Sequence, residues 1–288
     1  MPHMLFFGFG FCATHLAPEL AARGWHLSAT CRDDDKAKSL AARGITPIML
    51  DGEPLNAARL DAVSHILLSA APDENGCPAL AQLADALADA TDKPDWIGYL
   101  STTGVYGHHQ GAWIDEDTPP GPLGVRGQKR VAAEAAWAAL AAQCDLPMHY
   151  FRLAGIYGPG RNQLAAVKNG TARRIDKPGQ VFSRIHVADI VQVLLASIDR
   201  PNAGRAYTVC DHEPTPPQDV VSFAAGLLHT TPPPLIAFEE ASLSQMARSF
   251  YGENKRLKNN RITDELGVAL FYPTYREGLR ALFEAGAF

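Results

Sequence analysis

The sequence predicts an α/β protein with a doubly wound parallel sheet, and two observations lead to this prediction. Short apolar runs typical of buried strands alternate with longer runs of helical periodicity between residues 3 and 154. This alternation is typical of βαβ units, in which helices cover both faces of a parallel sheet. The length of 288 residues suits one large domain or two closely joined lobes, because a single core stops growing at roughly 250–300 residues.

Each element follows from its own local pattern. The predicted strands are apolar, β-branched or aromatic runs that end at turn signals: 3–8, 25–31, 45–50, 65–71, 96–102 and 148–154. The predicted helices between them are 11–23, 34–43, 78–90 and 128–142. The first two stop at Gly24 and Gly44, as helices commonly do. A helix over 187–198 and a strand over 205–210 are expected to return to the main sheet.

Composition argues against several classes of protein. The chain has 26 basic and 31 acidic residues, a net charge of −5, whereas a protein that mainly grips nucleic acid is normally basic. No apolar run reaches the roughly 18–20 residues that a membrane helix needs. The five cysteines form neither a CxxC pair nor a Cys/His cluster. We therefore expect free thiols in a cytoplasmic protein, with no metal site and no nucleic-acid or membrane partner.

A glycine-rich turn lies between the first predicted strand and the first predicted helix. It is Gly8-Phe9-Gly10-Phe11-Cys12-Ala13, which fits the pattern G-x-G-x-x-A. The first glycine permits the tight turn, the second lets the backbone approach a pyrophosphate, and the alanine allows the helix to pack closely on the strand. The N-terminus of the helix then faces the anion. We predict that these six residues bind a dinucleotide on a Rossmann-like fold; a plain tight turn is the alternative.

The residues that follow the next strands bear on the choice of cofactor. An acidic residue after the second strand would bond the ribose hydroxyls of NAD, but Arg32 lies there and can pair with a 2′-phosphate. This favours NADP over NAD, although Arg32 is also compatible with a solvated position beside Asp33. Asp51 is predicted either to reach the adenine or to serve in a turn. Ala70 and Ala71, after the fourth strand, are further predicted cofactor contacts.

Several further motifs, in order along the chain, resemble the NAD-dependent epimerase/dehydratase group of extended short-chain dehydrogenases/reductases. They are STTGVYG (101–107), DE (115–116), FRL (151–153), IYGPG (156–160) and IHVAD (185–189). The resemblance covers nearly the whole chain. It implies a nicotinamide cofactor that exchanges a hydride with the substrate.

The resemblance also implies a catalytic Ser or Thr and a Tyr-x-x-x-Lys pair, and the second of these is missing. The Ser/Thr position falls on Thr102. Aligned on Glu134, the tyrosine and lysine positions hold Arg126 and Arg130; alignment on Lys129 also leaves the phenol missing. A guanidinium only donates and stays protonated, so Arg126 cannot act as an acid or base, whereas Arg130 can still bond the cofactor ribose. Loss of a positioned acid or base costs about 10²–10⁴ in rate.

Other side chains are candidates to replace the missing phenol. Tyr106 closely follows Thr102 and carries the right group, but in the family this tyrosine usually serves packing. His186 is a further candidate, with a role at a helix start as the alternative. His108 and His109 titrate near neutral pH and precede a glycine, but such a pair is also typical of a protein surface.

Arginines recur in the segments expected to face the substrate, where planar bidentate donors suit a carboxylate or phosphate. They are Arg126, Arg130, Arg152, Arg161, Arg173, Arg174 and Arg184. The resemblance places substrate residues around 152–162 and 183–186. We therefore predict that Arg126, Arg152, Tyr157 and Arg161 bind an anionic or nucleotide-sugar-like substrate. For any single arginine, exposure and pairing with Asp or Glu is the alternative.

These observations predict a functional division of the chain. Glycine, proline and arginine become frequent after Tyr157, so we assign residues 1–158 to an NADP-binding domain and residues 159–288 to a small C-terminal substrate lobe, with 187–210 returning to the main sheet. The predicted function is an NADP-dependent oxidoreductase or epimerase-like enzyme with an atypical active site. The alternative is a catalytically silent NADP-binding redox sensor that regulates a partner. A homodimer is a further expectation, because helices of such sheets often pair.

Overall fold

A computed structural model describes residues 1–50 and 55–288. Its strands are β1 (His3–Phe7), β2 (His26–Cys31), β3 (Thr46–Met49), β4 (His65–Leu68), β5 (Trp96–Thr102), β6 (Trp113–Ile114), β7 (Met148–Leu153), β8 (Gly155–Tyr157), β9 (Arg174–Asp176), β10 (Arg184–His186), β11 (Ala206–Val209), β12 (Leu235–Ala237) and β13 (Arg256–Leu257). The predicted strands are confirmed with small shifts at their ends. Asp51 lies outside the described residues, so its predicted contact stays a prediction.

The helices also follow the predicted pattern. They are α1 (Phe11–Ala22), α2 (Asp34–Ala41), α3 (Pro78–Asp89), α4 (Val125–Cys144), α5 (Gln163–Lys168), α6 (Val187–Asp199), α7 (Pro217–Leu227), α8 (Gln245–Phe250), α9 (Asn260–Asp264) and α10 (Tyr275–Glu284). Helix α4 starts three residues earlier than the periodicity predicts, at Val125. No helix in the described ranges is long and apolar enough to cross a membrane.

The central sheet has the strand order β11-β7-β5-β4-β1-β2-β3. Strand β1 pairs in parallel with both β2 and β4. Strand β3 extends the sheet beyond β2, and strands β5, β7 and β11 extend it beyond β4. This reversal of strand order leaves a crevice at the carboxyl ends of β1 and β4, where doubly wound sheets bind ligands. The doubly wound, Rossmann-like prediction is confirmed.

The chain forms two compact units, each made of three segments. Unit 1 contains Met1–Thr102, Gln128–Arg152 and Leu194–Tyr207, and unit 2 contains Thr103–Gly127, Leu153–Val193 and Thr208–Phe288. The functional division at residue 158 stays a prediction.

The core of unit 1 explains its continuous apolar strands. Strands β1, β4, β5 and β7 are buried along almost their whole length, as expected where helices cover both faces of a parallel sheet. Leu68, Tyr99 and Trp137 belong to one buried cluster of this unit. On α1, Leu16 and Leu20 are fully buried, which holds the helix behind the glycine turn in place.

Unit 2 is built from short paired strands and helices. Strand β8 pairs in parallel with β10, β9 with β12 and β6 with β13. One buried cluster joins Tyr157 and Leu164 to residues of α7 and α10, including Tyr275 and Leu279. Helix α10 begins with a capping box between Thr274 and Glu277, which satisfies backbone donors at its start.

Candidate functional site

The glycine turn of unit 1 is held between the ends of two neighbouring strands. Gly8 has φ +85°, and a Cβ there would lie 3.1 Å from the backbone nitrogen of Ala70. Its N–H donates to Thr30 Oγ1 at 2.9 Å, and its carbonyl accepts from Ser69 Oγ at 2.8 Å. Glycine is therefore required at position 8 by both conformation and space. Sequence reasoning missed the two hydroxyls, because each reaches the turn from another strand.

The start of α1 is open to an approaching ligand. Gly10 is the N-cap residue, no side chain among residues 1–50 and 55–288 caps the helix, and its first turn holds no acidic residue. A Cβ on Gly10 would meet no atom within 4 Å in the described part of the chain. Ala13 is fully buried, in keeping with its predicted packing role. The partial positive charge of a helix N-terminus thus faces free space beside a backbone without a side chain, which fits a pyrophosphate.

The other turn residues contribute through their backbone and through packing. Phe9 and Cys12 are buried. The guanidinium of Arg43 lies 5.0 Å from the centre of the Phe9 ring, and Lys36 Nζ donates to the Phe9 carbonyl at 3.1 Å. Phe11 is partly buried. The phenyl ring of Phe9 therefore braces the turn against α2 and the loop that follows it.

Arg32 is exposed directly after β2. It makes no hydrogen bond or ion pair with residues 1–50 or 55–288. Asp33 beside it is the N-cap of α2, where its carboxylate accepts from the N–H of Lys36 at 2.8 Å. Ala70 and Ala71 follow β4, and the N–H of Ala70 donates to the Phe7 carbonyl. Arg32 and the two alanines thus belong to the carboxyl edge of the sheet that carries the glycine turn.

Arg130 lies against the end of β5, the strand that Thr102 terminates. Its Nη1 donates to Tyr99 Oη at 3.2 Å and to the Leu100 carbonyl, and its guanidinium lies 5.6 Å from the centre of the Tyr99 ring. Burial raises the pKa of Tyr99 to about 12, although Arg130 opposes this. Tyr99 is fully buried, so this phenol is not suited to proton exchange with a substrate near neutral pH.

A buried ion pair joins α4 to β7 in unit 1. Arg152 Nη2 donates to Glu134 Oε2 at 2.8 Å, its Nε lies 3.3 Å from both carboxylate oxygens, and Ser101 Oγ donates to Glu134 Oε1 at 2.5 Å. Arg152 was expected at the substrate; its guanidinium faces Glu134 and is only slightly exposed. Sequence reasoning used Glu134 only to align the missing tyrosine and missed its role as the counter-ion.

In unit 2, Tyr106 is a buried packing residue. Its Oη shares a 2.9 Å hydrogen bond with Thr208 Oγ1, and 1% of the residue is exposed. The N–H of Thr208 donates to the carboxylate of Glu116, whose pKa is raised by burial. The candidate phenol is therefore hydrogen-bonded to Thr208 within unit 2, and its role in catalysis stays a prediction.

The histidine candidates bond to backbone groups. His109 Nε2 lies 2.9 Å from the Tyr106 carbonyl, and His108 Nδ1 accepts from the N–H of Asn254 at 2.9 Å. His186 Nδ1 accepts from the N–H of Ala188 at 3.1 Å, which is the role expected of a residue at the start of a helix. These three bonds are structural and do not require a substrate.

The remaining predicted substrate residues differ in exposure. Arg126 and Arg161 are exposed, and the guanidinium of Arg126 lies 5.6 Å from the centre of the Phe250 ring. Tyr157 is buried, and burial raises the pKa of its phenol. A Cβ on Gly278 would lie 2.1 Å from Tyr157 Oη, so α10 can pass this ring only at a glycine. No group of three or more His, Cys, Asp or Glu in the described ranges is arranged to hold a metal ion.

Comparisons with known proteins agree with the fold. The family model described as "NAD dependent epimerase/dehydratase family" matches residues 8–210. Protein YeeZ from Escherichia coli strain K12 is 28% identical over 284 residues, which cover 92% of this chain and 94% of YeeZ.

Solved structures extend the comparison over the whole chain. A conserved protein of unknown function from Silicibacter pomeroyi DSS is 50% identical, with a TM-score of 0.92 and 100% of each chain covered. UDP-glucuronic acid 4-epimerase from Bacillus cereus, solved in complex with NAD, is 15% identical, with a TM-score of 0.76 over 98% of this chain and 97% of its own. The second likeness is one of fold.

Proposed function

The chain belongs to the NAD dependent epimerase/dehydratase family, and on that premise we propose that unit 1 binds a nicotinamide dinucleotide at its glycine turn. The open approach to Gly10 supports this most directly, because within the described residues a Cβ there would meet no atom within 4 Å and the helix behind it has no side-chain cap. Backbone N–H groups at such a helix start suit a pyrophosphate. A bound nicotinamide would supply hydride exchange with a substrate carbon.

We propose NADP as the preferred cofactor because of Arg32. This side chain is exposed after β2, and the neighbouring Asp33 carboxylate is occupied in capping α2. A guanidinium that is not paired within the described residues is suited to bind a 2′-phosphate through two parallel hydrogen bonds. Arg130, with Nη1 held by Tyr99 and Leu100, is proposed to direct its other donors to the cofactor ribose.

The test is a fluorescence titration with NADPH and NADH. For the wild type, we expect NADPH to bind more tightly than NADH. Arg32→Ala should weaken NADPH binding by about 10–150-fold, the equivalent of a charged hydrogen bond worth about 1.5–3 kcal/mol, and leave NADH binding nearly unchanged. Arg23→Ala is the matched control, because it removes the same charge from an exposed pair with Asp199 in the same unit.

Either of two outcomes would reject the cofactor proposal. If neither nucleotide binds at millimolar concentration, the glycine turn is only architectural. If Arg32→Ala and Arg23→Ala reduce NADPH binding equally, the effect of Arg32 is one of net charge and not of a specific contact.

We further propose an oxidoreductase or epimerase-like activity on an anionic small molecule. In this scheme Thr102 orients a substrate carbonyl or hydroxyl group. Exposure supports Arg126 and Arg161 as the residues that meet the anion, while Arg152 would act indirectly, through its pair with Glu134.

A catalytically silent redox sensor is the second candidate function. It is favoured by the burial of Tyr106 and its bond to Thr208, together with the donor-only side chains of Arg126 and Arg130. Oxidation of NADPH in the presence of a panel of carbonyl compounds separates the two functions. Turnover above the rate without protein supports the enzyme, whereas tight NADPH binding without turnover of any compound supports the sensor.

A further inference from the structure

Three of the buried polar atoms in unit 2 that lack a hydrogen-bond partner among the described residues share one charged neighbour. They are Tyr157 Oη, Tyr275 Oη and Asp211 Oδ2. Tyr275 and Asp211 are fully buried, and 7% of Tyr157 is exposed. Burial of a polar group without a partner is costly, and folded proteins rarely leave such groups unsatisfied. These atoms therefore indicate a partner that the polypeptide itself does not provide.

Arg184 is the charged neighbour that these three groups share. It interacts electrostatically with Asp211, Tyr275 and Tyr157. In the parallel pair of β10 and β8, Arg184 lies opposite Gly155 and His186 lies opposite Tyr157, so Arg184 and Tyr157 project from the same face. A Cβ on Gly155 would lie 3.8 Å from Arg184 Cγ and 3.3 Å from the Ser183 carbonyl oxygen, so a glycine keeps the Arg184 side chain uncrowded at this register position.

The guanidinium of Arg184 is only partly used by the protein. Its Nη1 donates to the carbonyls of Phe182 at 2.9 Å and Thr215 at 3.4 Å. Within residues 1–50 and 55–288, Nε and Nη2 make no hydrogen bond, and no carboxylate lies within 4 Å of the side chain. Asp211 is its strongest electrostatic partner. The N–H of Asp211 donates to the Arg184 carbonyl at 2.6 Å, but the guanidinium and the carboxylate do not form an ion pair.

The charge balance around the Arg184 guanidinium favours an anion. Burial raises the pKa of Asp211 to about 8, although Arg184 opposes the shift. The backbone N–H groups of Glu213 and Arg184 also lower this pKa, whereas the charge of Glu213 raises it. Tyr157 faces Asp211 with a neutral phenol. Near neutral pH, Asp211 is therefore largely protonated, and Arg184 remains a cation without a buried counter-ion.

We propose that Arg184, Tyr157 and Tyr275 bind a small oxyanion, and that Asp211 holds a proton while the ion is bound. The guanidinium and the two phenols all donate hydrogen bonds, and protonated Asp211 adds a fourth donor. The oxygens of a planar carboxylate or of a tetrahedral sulfate-like ion supply the acceptors that these groups lack. The proposal deepens the anionic-ligand part of the proposed function and rests on it, whereas cofactor binding to unit 1 is tested separately and can stand without it.

Proton linkage gives the site a specific pH dependence. Below about pH 7, Asp211 already carries its proton, and the dissociation constant should be nearly constant. Above pH 8, ion binding must draw a proton from solvent, so the dissociation constant should rise about tenfold for each pH unit.

Calorimetric titration of the full chain with sulfate or formate tests this site, with chloride at equal ionic strength as reference. Neither probe titrates between pH 6 and 9, and the two distinguish a tetrahedral from a planar ligand. Heats measured in two buffers of different ionisation enthalpy count the protons taken up. We expect saturable binding of at least one probe, with close to one proton taken up at pH 9 and close to none at pH 6.5.

Four variants locate the site. Tyr157→Phe and Tyr275→Phe should each weaken binding about five- to tenfold, without loss of stability in the ion-free protein, because neither hydroxyl bonds to a described residue. Arg184→Met should abolish binding. Asp211→Asn should keep binding but lose its pH dependence. Tyr272→Phe is the matched control, since its ring packs on His186 and it should bind as the wild type does.

The proposal is overturned if the wild type responds to sulfate and formate only as it does to chloride; internal water then satisfies the three atoms. It is also overturned if both tyrosine variants bind the probe as tightly as the wild type. If Arg184→Met fails to fold, the two phenylalanine variants still decide the location. Binding with no proton uptake at pH 9 would refute the role of Asp211.

Discussion

Acidification is expected to destabilise unit 1 through His149. This residue is fully buried in β7. Its Nε2 accepts from the N–H of Asn202 at 3.0 Å and its Nδ1 lies 3.4 Å from the Ile97 carbonyl, which requires the neutral ring with its proton on Nδ1. The indole of Trp96 stacks at 5.7 Å. A second proton would have to occupy Nε2, directly against the Asn202 N–H.

The size of the effect follows from the pKa in the two states. Burial lowers the pKa of His149 from 6.5 to about 4, whereas the unfolded chain takes up the proton near 6.5. The contribution of neutral His149 to the free energy of unfolding is therefore complete above about pH 6.5 and is lost as the pH falls toward 4. Between pH 7.5 and pH 5, proton linkage at this one group removes about 2 kcal/mol from the free energy of unfolding.

Urea unfolding followed by tryptophan fluorescence measures this loss. Trp25, Trp96 and Trp137 all belong to unit 1, so the signal mainly reports that unit. His149→Gln should be less stable than the wild type at pH 7.5, and should lose about 2 kcal/mol less between pH 7.5 and pH 5. His229→Asn, at an exposed position, should behave as the wild type does.

The reasoning is refuted if His149→Gln and the wild type lose equal free energy between the two pH values. Two other histidines with lowered pKa values do not affect this comparison. Burial also lowers the pKa of His3 and of His65, but both residues are present in the wild type and in the variant, so their contributions cancel in the difference.

Three further substitutions test the packing around the candidate site. Glu134→Gln leaves the charge of Arg152 buried without its partner and should cost about 3–5 kcal/mol, read as a lower thermal midpoint; a midpoint unchanged within error would contradict the pair. Gly278→Ala drives a Cβ to 2.1 Å from Tyr157 Oη and should cost about 1–3 kcal/mol, part of which Tyr157→Phe should recover in the double variant. Tyr106→Phe should cost about 0.5–1.5 kcal/mol with little effect on any NADPH turnover, whereas a hundredfold loss of turnover in a folded variant would make Tyr106 the acid or base.

The glycine turn shows how far a local pattern can predict structure. The order of strand, turn and helix was predicted from spacing alone, and the structure confirms it with Gly8 at φ +85° and an open position at Gly10. What the pattern did not contain were the hydroxyls of Thr30 and Ser69, which hold the turn from β2 and from the end of β4. Each is more than 20 residues away, at separations of 22 and 61 residues.

The arginines show what local sequence patterns cannot predict. In the sequence, seven of them lie in segments expected to face the substrate, but the structure gives them different surroundings. Arg152 pairs with Glu134, which is 18 residues away along the chain. Arg174 donates to the Pro233 carbonyl, 59 residues away, and Arg173 donates to the Ser242 carbonyl, 69 residues away. The positions of these partners depend on the folded chain, so residue type and spacing cannot tell a committed guanidinium from an available one.

The sequence by itself therefore determined the fold class, the element order and the position of the glycine turn between the first strand and the first helix. Hydrophobic periodicity and turn chemistry act between residues that are close along the chain, and both can be recognised without coordinates. Only the tertiary structure decided that the Tyr106 phenol bonds to Thr208 and that the Arg184 guanidinium lies near the Asp211 carboxylate without forming an ion pair with it. Burial and charge pairing depend on segments brought together by folding, and they set both the pKa of a group and the donors it has left for a ligand.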